Sequence, residues 1–181
     1  MNLDNHAHYG VHHWDSGDTA AGGQGQTVAG IECFPTMHEE FHVHAHLSII
    51  LNGQDHDLTQ DDPAVLAIPS DVGIVENSDG TRQCIYSLHT HDNSGMLHVE
   101  APAPGTFTLG QYFDIWGQPL SDTNVAGLVG MPIVVYLTES DGTTTIVPDH
   151  WRDIELTSHR LITIQVGSPI SKIPNFTWTG L

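Results

Sequence analysis

Histidines alternate with apolar residues in the segment FHVHAHL, at residues 41–47. Successive side chains of a β-strand point to opposite faces of the sheet, so a strand here carries imidazoles on one face and apolar side chains on the other. Neutral imidazole nitrogens bind copper, zinc and iron. The spacing therefore predicts a group of transition-metal ligands formed by His42, His44 and His46.

A second histidine group is predicted from a β-hairpin. The segments LHTH and MLHVE flank a loop signal at residues 92–95. A hairpin closed through this loop pairs His89 with His98 and places His91 and Glu100 on the same face. Directly opposed residues have Cβ atoms about 5 Å apart, so three imidazoles can meet around one ion. We expect the three histidines to be the best ligands and Glu100 to be a further ligand or a general base.

Three functional hypotheses follow from these groups. In the first, the protein is a metalloenzyme for a small-molecule substrate; zinc favours hydration or hydrolysis, as in carbonic anhydrase, and copper favours oxidation, with iron or manganese as weaker candidates. In the second, it is a non-catalytic carrier or buffer of metal ions. In the third, it is a structural module whose histidines respond to pH. The sequence leaves open whether the protein is an enzyme.

The chain is strongly acidic, with 22 aspartates and glutamates against 4 lysines and arginines, a formal net charge of -18. This charge repels phosphate backbones, which argues against nucleic acid as a partner. The sequence contains no apolar run of about twenty residues, so we expect no membrane insertion. The composition indicates an extracytoplasmic, acid-adapted or salt-adapted protein, although residues 1–4 lack the features of a signal peptide. Oligomerisation is left open.

Two cysteines, Cys33 and Cys84, suit a single disulfide in a secreted domain. Such a bridge would close a loop of about fifty residues and stabilise the fold by about 4 kcal/mol on the chain-entropy model. Two buried free thiols, or a pair of metal ligands, are the alternatives that the sequence leaves open.

Short apolar segments separated by turn signals follow one another from Ile31 onward, which is typical of an antiparallel β protein. The segment at residues 109–117 is the best helix candidate, with Leu109, Phe113 and Trp116 on one face. We therefore expect a mainly β fold, an antiparallel β-sandwich or barrel-like domain with one short helix. The predicted strands are 41–51, 64–68, 83–91, 96–100, 133–138, 143–147 and 161–166, and the predicted hairpin turns are 52–53, 92–95 and 140–142.

The first thirty residues differ from the rest in composition. Residues 1–30 are rich in Gly, His, Asp and Thr and have little apolar periodicity. We expect a flexible tail without secondary structure that contacts the body through Trp14. Residues 31–181 are expected to form a single β-rich metal-binding domain. The tail histidines are further, weaker candidate ligands: His6, His8, His12 and His13.

Three longer motifs, FHVHAHLSIILNG, CIYSLHTHDNSGMLHVE and FTLGQYFDIWGQPL, with the Gly180-Leu181 end, resemble a group of uncharacterised extracytoplasmic proteins of bacteria and archaea. The resemblance covers about residues 30–181 and is most specific at LHTHD and HVE. It implies that Cys33 and Cys84 pair, and it gives no reaction. It also implies a shared site made of His42, His44, His46, His89, His91, His98 and Glu100.

A looser resemblance is to the cupins, which hold a metal ion with three histidines and a glutamate on antiparallel strands. His89, His91, His98 and Glu100 supply these residue types. The order differs, because in cupins the glutamate follows the first two histidines closely and the last histidine lies on a distant strand. This resemblance implies a similar set of donors around one ion.

Overall fold

The structure is a computed structural model that describes residues 2–3 and 8–179. His6 and the Gly180-Leu181 end therefore lie outside the described residues. Strands predominate, with one α-helix and one short 3-10 helix (Trp151–Asp153) among these residues. The elements are β1 (Asn2–Leu3), β2 (Val11–His12), β3 (Cys33–Phe34), β4 (Phe41–Leu51), β5 (Val65–Ala67), β6 (Ile74–Glu76), β7 (Arg82–Tyr86), β8 (Leu88–His89), β9 (Met96–Ala101), α1 (Leu109–Trp116), β10 (Asn124–Val125), β11 (Leu128–Val129), β12 (Ile133–Thr138), β13 (Thr144–Val147), β14 (Leu161–Val166) and β15 (Thr177–Trp178).

Strand β4 is the centre of the largest sheet. Its first half pairs antiparallel with β9, from Phe41 opposite Ala101 to His46 opposite Met96. Its second half pairs with β14 on one side and with β5 on the other. Residues 45–50 are all buried, as expected for a strand that is covered on both faces. The strand order is β13-β12-β14-β4-β5-β2, and β9 lies between β4 and β8.

The fold is mainly β, as predicted, and its several sheets form a β-sandwich-like domain. Most pairs are antiparallel, but β14 with β4, β2 with β5 and β1 with β15 are parallel. The strands of the described ranges form no closed barrel. The spacing of apolar segments predicted the strands but not their order, because the parallel pairs join segments that are distant in sequence.

Helix α1 begins and ends as the sequence predicted. Thr108 caps its N-terminus in a capping box with Gln111, and Gly117 ends it with a φ of 77° in the left-handed region. Its face with Phe113 and Trp116 is fully buried in the larger apolar cluster, beside the apolar side chains of β4, β9 and β14. No helix in the part of the chain that the structure describes is long and apolar enough to cross a membrane.

A disulfide joins Cys33 of β3 to Cys84 of β7, with the two Cα atoms 5.4 Å apart. The predicted bridge is confirmed, and the alternatives of free thiols or metal-ligating thiolates are wrong, since neither cysteine is free. Strand β8 follows β7 after a single residue. The bridge therefore fixes the segment that leads directly into the histidines at 89 and 91.

The prediction of no secondary structure in residues 1–30 was wrong, because β1 and β2 pair with β15 and β5. Trp14 contacts the body as expected: its indole N–H donates to the Ala126 carbonyl at 2.9 Å, and its ring packs edge-on against Trp116 at 5.1 Å. The division of the chain at residue 30 stays a prediction.

The predicted tight hairpin at residues 52–53 is absent from the structure, which has a longer connection between β4 and β5 there. Asn52 instead closes the end of β14: its backbone N–H donates to Val166, and its side-chain oxygen accepts from the Ser168 N–H at 3.1 Å. The other two predicted turns are confirmed, because β8 pairs with β9 and β12 pairs with β13.

Candidate metal centre

The hairpin of β8 and β9 places His89 directly opposite His98, which confirms the pairing predicted from the loop signal. His91 lies just beyond β8, and its ring centroid is 4.6 Å from that of His98. One donor atom from each of His89, His91, His98 and Glu100 lies within 4.8 Å of the others. We call these four residues the β8 group.

The pairing of β4 with β9 creates a second group on the same face. His44 lies opposite His98, and His42 lies opposite Glu100. One donor atom from each of His42, His44 and His98 lies within 4.8 Å of the others. We call these three residues the β4 group. His98 belongs to both groups, since β9 lies between the two other strands.

His46 lies outside both groups, although the sequence predicted it as a ligand. Its side chain is 1% exposed, and its ring packs against Phe176 with the centroids 3.9 Å apart. Its Nε2 lies 2.8 Å from the Ser94 carbonyl oxygen, and the Ser48 hydroxyl lies 3.4 Å from its Nδ1. Both ring nitrogens therefore have protein partners. The alternation of residues gave the correct face but not this local environment.

A backbone carbonyl fixes the orientation of His89. The Nδ1–H of His89 donates to the Tyr86 carbonyl at 2.9 Å, since a carbonyl oxygen can only accept. The proton on Nδ1 leaves a lone pair on Nε2, which lies 3.2 Å from the Nε2 of His91. Metal-binding histidines are held in this way. The sequence carried no signal for Tyr86, because the contact uses its backbone.

Glu100 is a buried carboxylate with an unsatisfied oxygen. It is 4% exposed, and within the described residues its Oε2 has no hydrogen-bond partner. Its Oε1 lies 3.2 Å from the Nε2 of His42 and 3.3 Å from the Nδ1 of His98, and its Oε2 lies 3.7 Å from the Nε2 of His89. A buried, unpartnered carboxylate oxygen is costly, and a cation between these atoms would remove the cost.

The surroundings favour neutral imidazoles. Burial, together with the smaller effect of the neighbouring His98, lowers the pKa of His89 to about 3 and that of His44 to about 4. Burial and His98 also lower the pKa of His91. Burial opposes ionisation of Glu100, but the hydrogen bond with His98 and the nearby imidazoles hold its pKa below the usual value. The imidazoles of His44, His89 and His91 are therefore neutral at neutral pH, and each has a lone pair that can bind a metal ion.

The centre opens to solvent on one side. His89, His98 and Glu100 are buried, whereas His91 and His42 are exposed. An ion bound here would have fixed ligands behind it and a solvent-accessible side. The tail histidines of the described residues lie elsewhere: His8 packs beside His12, and His13 packs against Trp14.

No family model matches the chain, and comparisons with curated proteins and with solved structures give no match. The donor atoms of the site and their surroundings are therefore what indicates the function.

Proposed function

We propose that this protein binds a transition-metal ion, copper or zinc, in the β8 group. The observation that carries the proposal is the convergence of four donor atoms within 4.8 Å. Two features support it: the lone pair that Tyr86 leaves on the Nε2 of His89, and the unpartnered, buried Oε2 of Glu100. Imidazole-rich sites suit copper and zinc, whereas manganese prefers mostly oxygen ligands.

We further propose that the protein is a metalloenzyme for a small-molecule substrate. Buried ligands hold the ion from one side, and the exposed side near His91 leaves room for water or a substrate. Zinc would supply an activated water for hydration or hydrolysis, and copper would supply oxidative chemistry. Glu100 would serve as a ligand or, when released from the ion, as a general base.

The two alternatives make different predictions. A carrier or buffer would release its ions quickly to a mild chelator, whereas an enzyme would retain one or two ions tightly. A pH-responsive module requires protonation near pH 6, and the lowered pKa values of His44 and His89 argue against it. We therefore rank the metalloenzyme first and the carrier second.

An extracytoplasmic location fits the disulfide, which persists in oxidising compartments. The net charge of -18 supports small molecules or metal ions rather than nucleic acid as partners. We also propose that this chain belongs to the extracytoplasmic family that its motifs resemble.

The proposed function is tested by equilibrium binding of zinc and copper(II) to the untagged protein in competition with a chelator. We expect His89→Ala and the exposed His91→Ala to weaken the affinity about 100-fold or more, since loss of a residue that only orients a ligand already costs about 10–100-fold. The matched control is His150→Asn, an exposed histidine outside both groups. Unchanged affinity in both ligand variants would contradict the proposal.

A further inference from the structure

The β4 group and one oxygen of Glu100 form a second set of four donors, which shares His98 and Glu100 with the β8 group and adds His42 and His44. The Nε2 of His42 lies 3.0 Å from the Nε2 of His44, which lies 3.1 Å from the Nδ1 of His98. The Oε1 of Glu100 lies 3.3 Å from the Nδ1 of His98 and 3.2 Å from the Nε2 of His42. The four atoms thus form a closed ring.

The size of this ring matches a metal coordination shell. Ligands at about 2.0–2.1 Å from a tetrahedral zinc ion lie about 3.3–3.4 Å from one another. The four contacts of the ring, from 3.0 to 3.3 Å, are close to that spacing. One ion at the centre of the ring would contact all four donors at once.

Hydrogen bonds alone satisfy the ring poorly. The Nε2 of His42 and the Nδ1 of His98 each carry at most one proton, yet each faces both a nitrogen of His44 and the Oε1 of Glu100. Both protons would have to be shared between two acceptors. A cation replaces these shared protons and leaves every nitrogen with a lone pair to donate.

Glu100 connects the two groups through its two oxygens. Oε1 belongs to the ring, while the unpartnered Oε2 faces the Nε2 of His89 at 3.7 Å. Carboxylates that bridge two ions present one oxygen to each, and ions in two-metal sites are about 3.5–4 Å apart.

We propose that the protein holds two metal ions in one dinuclear centre bridged by Glu100. The first ion is held by His89, His91 and the Oε2 of Glu100. The second is held by His42, His44, the Nδ1 of His98 and the Oε1 of Glu100, so with two ions bound His98 of the β8 group is a ligand of the second ion. This inference rests on the proposed function, because it adds the second ion to the first. Each ion has one exposed ligand, His91 or His42, and the half-buried His44 makes the second ion the more accessible to chelators.

The experiment loads the untagged, full chain with copper(II), removes weakly held ions with a mild chelator, and measures copper per chain and the electron paramagnetic resonance signal. We expect two ions in the wild type and one each in His42→Ala and His91→Ala, two exposed positions where folding is not at risk. Two bridged copper(II) ions couple magnetically, so the spin count of the wild type should fall below its copper content. In the single-ion variants all the copper should be visible.

Two controls keep the test decisive. His150→Asn should keep two coupled ions, and Glu100→Gln, which preserves the side-chain shape, should lose the coupling. One ion in the wild type that His42→Ala retains would overturn the dinuclear centre and leave the proposed function intact. Two uncoupled ions that both persist in His42→Ala would also overturn it, and no bound ion at all would overturn both proposals.

Discussion

The role of each residue in the centre depends on which of its atoms carries a proton and which carries a lone pair. The Tyr86 carbonyl holds the proton of His89 on Nδ1, so Nε2 faces the β8 group with a lone pair. Glu100 brings one negative charge into a buried environment that otherwise holds imidazoles. These residues do not satisfy one another fully, and a bound cation would complete their interactions.

His46 provides a test at the level of one residue. Its ring is buried against Phe176 and both ring nitrogens have partners, so we expect His46→Ala to destabilise the protein by about 3 kcal/mol. Metal content should stay unchanged. Urea unfolding and elemental analysis of the same sample check both statements. A variant of normal stability that has lost an ion would show that His46 is a ligand after all.

Asp18 provides a second test, on pH dependence. Its Oδ1 accepts from the Gly73 N–H at 2.9 Å, while its Oδ2 is buried without a hydrogen-bond partner among the described residues. Burial raises the pKa of this carboxyl from 3.8 to about 7, and the bond from Gly73 opposes the shift only in part. The folded protein therefore keeps the proton over a pH range in which the unfolded chain has lost it.

The sign of the effect follows from this difference. The contribution of Asp18 to the free energy of unfolding is fully present below about pH 4. It falls by up to about 4 kcal/mol as the pH rises to about 7. We expect the stability advantage of Asp18→Asn over the wild type to grow between pH 4 and pH 8. Urea unfolding across this range measures it. If the free energies of unfolding of the two proteins differed by the same amount at pH 4 and at pH 8, the raised pKa of Asp18 would be contradicted.

Five of the six histidines that the sequence predicted as ligands lie in the β8 and β4 groups, and the signals that predicted them are local. Alternation in residues 41–47 and the short loop at residues 92–95 fix which side chains lie on the same face of the sheet. The environment of His46 depends on Phe176, which is far away in sequence. The opposition of His42 and Glu100 likewise depends on how β4 pairs with β9, and no local pattern specifies this register.

At the scale of the elements, local sequence signals predicted the bounds of several strands correctly, but they did not predict which strands pair when the partners are distant in sequence. The bounds of β4, β12 and β14 match the prediction, because each is an apolar segment between clear turn signals. The parallel pairing of β14 with β4 could not be predicted, because its partners are more than a hundred residues apart. The hairpin turn predicted at residues 52–53 was wrong, because Asn52 forms a hydrogen bond at the end of β14 instead.

The turn of the β8–β9 hairpin provides a test of how the elements position the centre. Gly95 has a φ of 82°, and a Cβ atom there would lie 2.2 Å from the Leu47 carbonyl oxygen of β4. We expect Gly95→Ala to push β9 away from β4 and to weaken metal binding without removing a ligand.

The matched control for this variant is Gly80→Ala. Gly80 has a φ of 79°, and an added Cβ would meet nothing within 4 Å. Gly80→Ala should cost about 1 kcal/mol from backbone strain alone, and Gly95→Ala should cost about 1–3 kcal/mol more from crowding. Urea unfolding and chelator competition measure both variants. Equal stability and equal affinity would show that the close approach to Leu47 does not position the site.

At the scale of the whole molecule, the centre joins parts of the chain that are distant in sequence. Strands β4, β8 and β9 and the loop that follows β8 supply its ligands, and the disulfide fixes the segment that precedes β8. Bound metal should therefore stabilise the entire fold, by about 2.7 kcal/mol when the free ion is at 100 times its dissociation constant. We expect the unfolding temperature to fall when a chelator removes the metal and to recover when zinc is added back. An unchanged unfolding temperature would favour a structural module instead.

The most direct test is a crystal structure of the untagged protein grown with zinc or copper, with diffraction data collected at the absorption edge of the metal. We expect the strongest anomalous peak in the β8 group, about 2.0–2.1 Å from the Nε2 of His89. A metal peak that appears only at surface histidines such as His8 and His12, with none in the β8 group, would contradict the central claim.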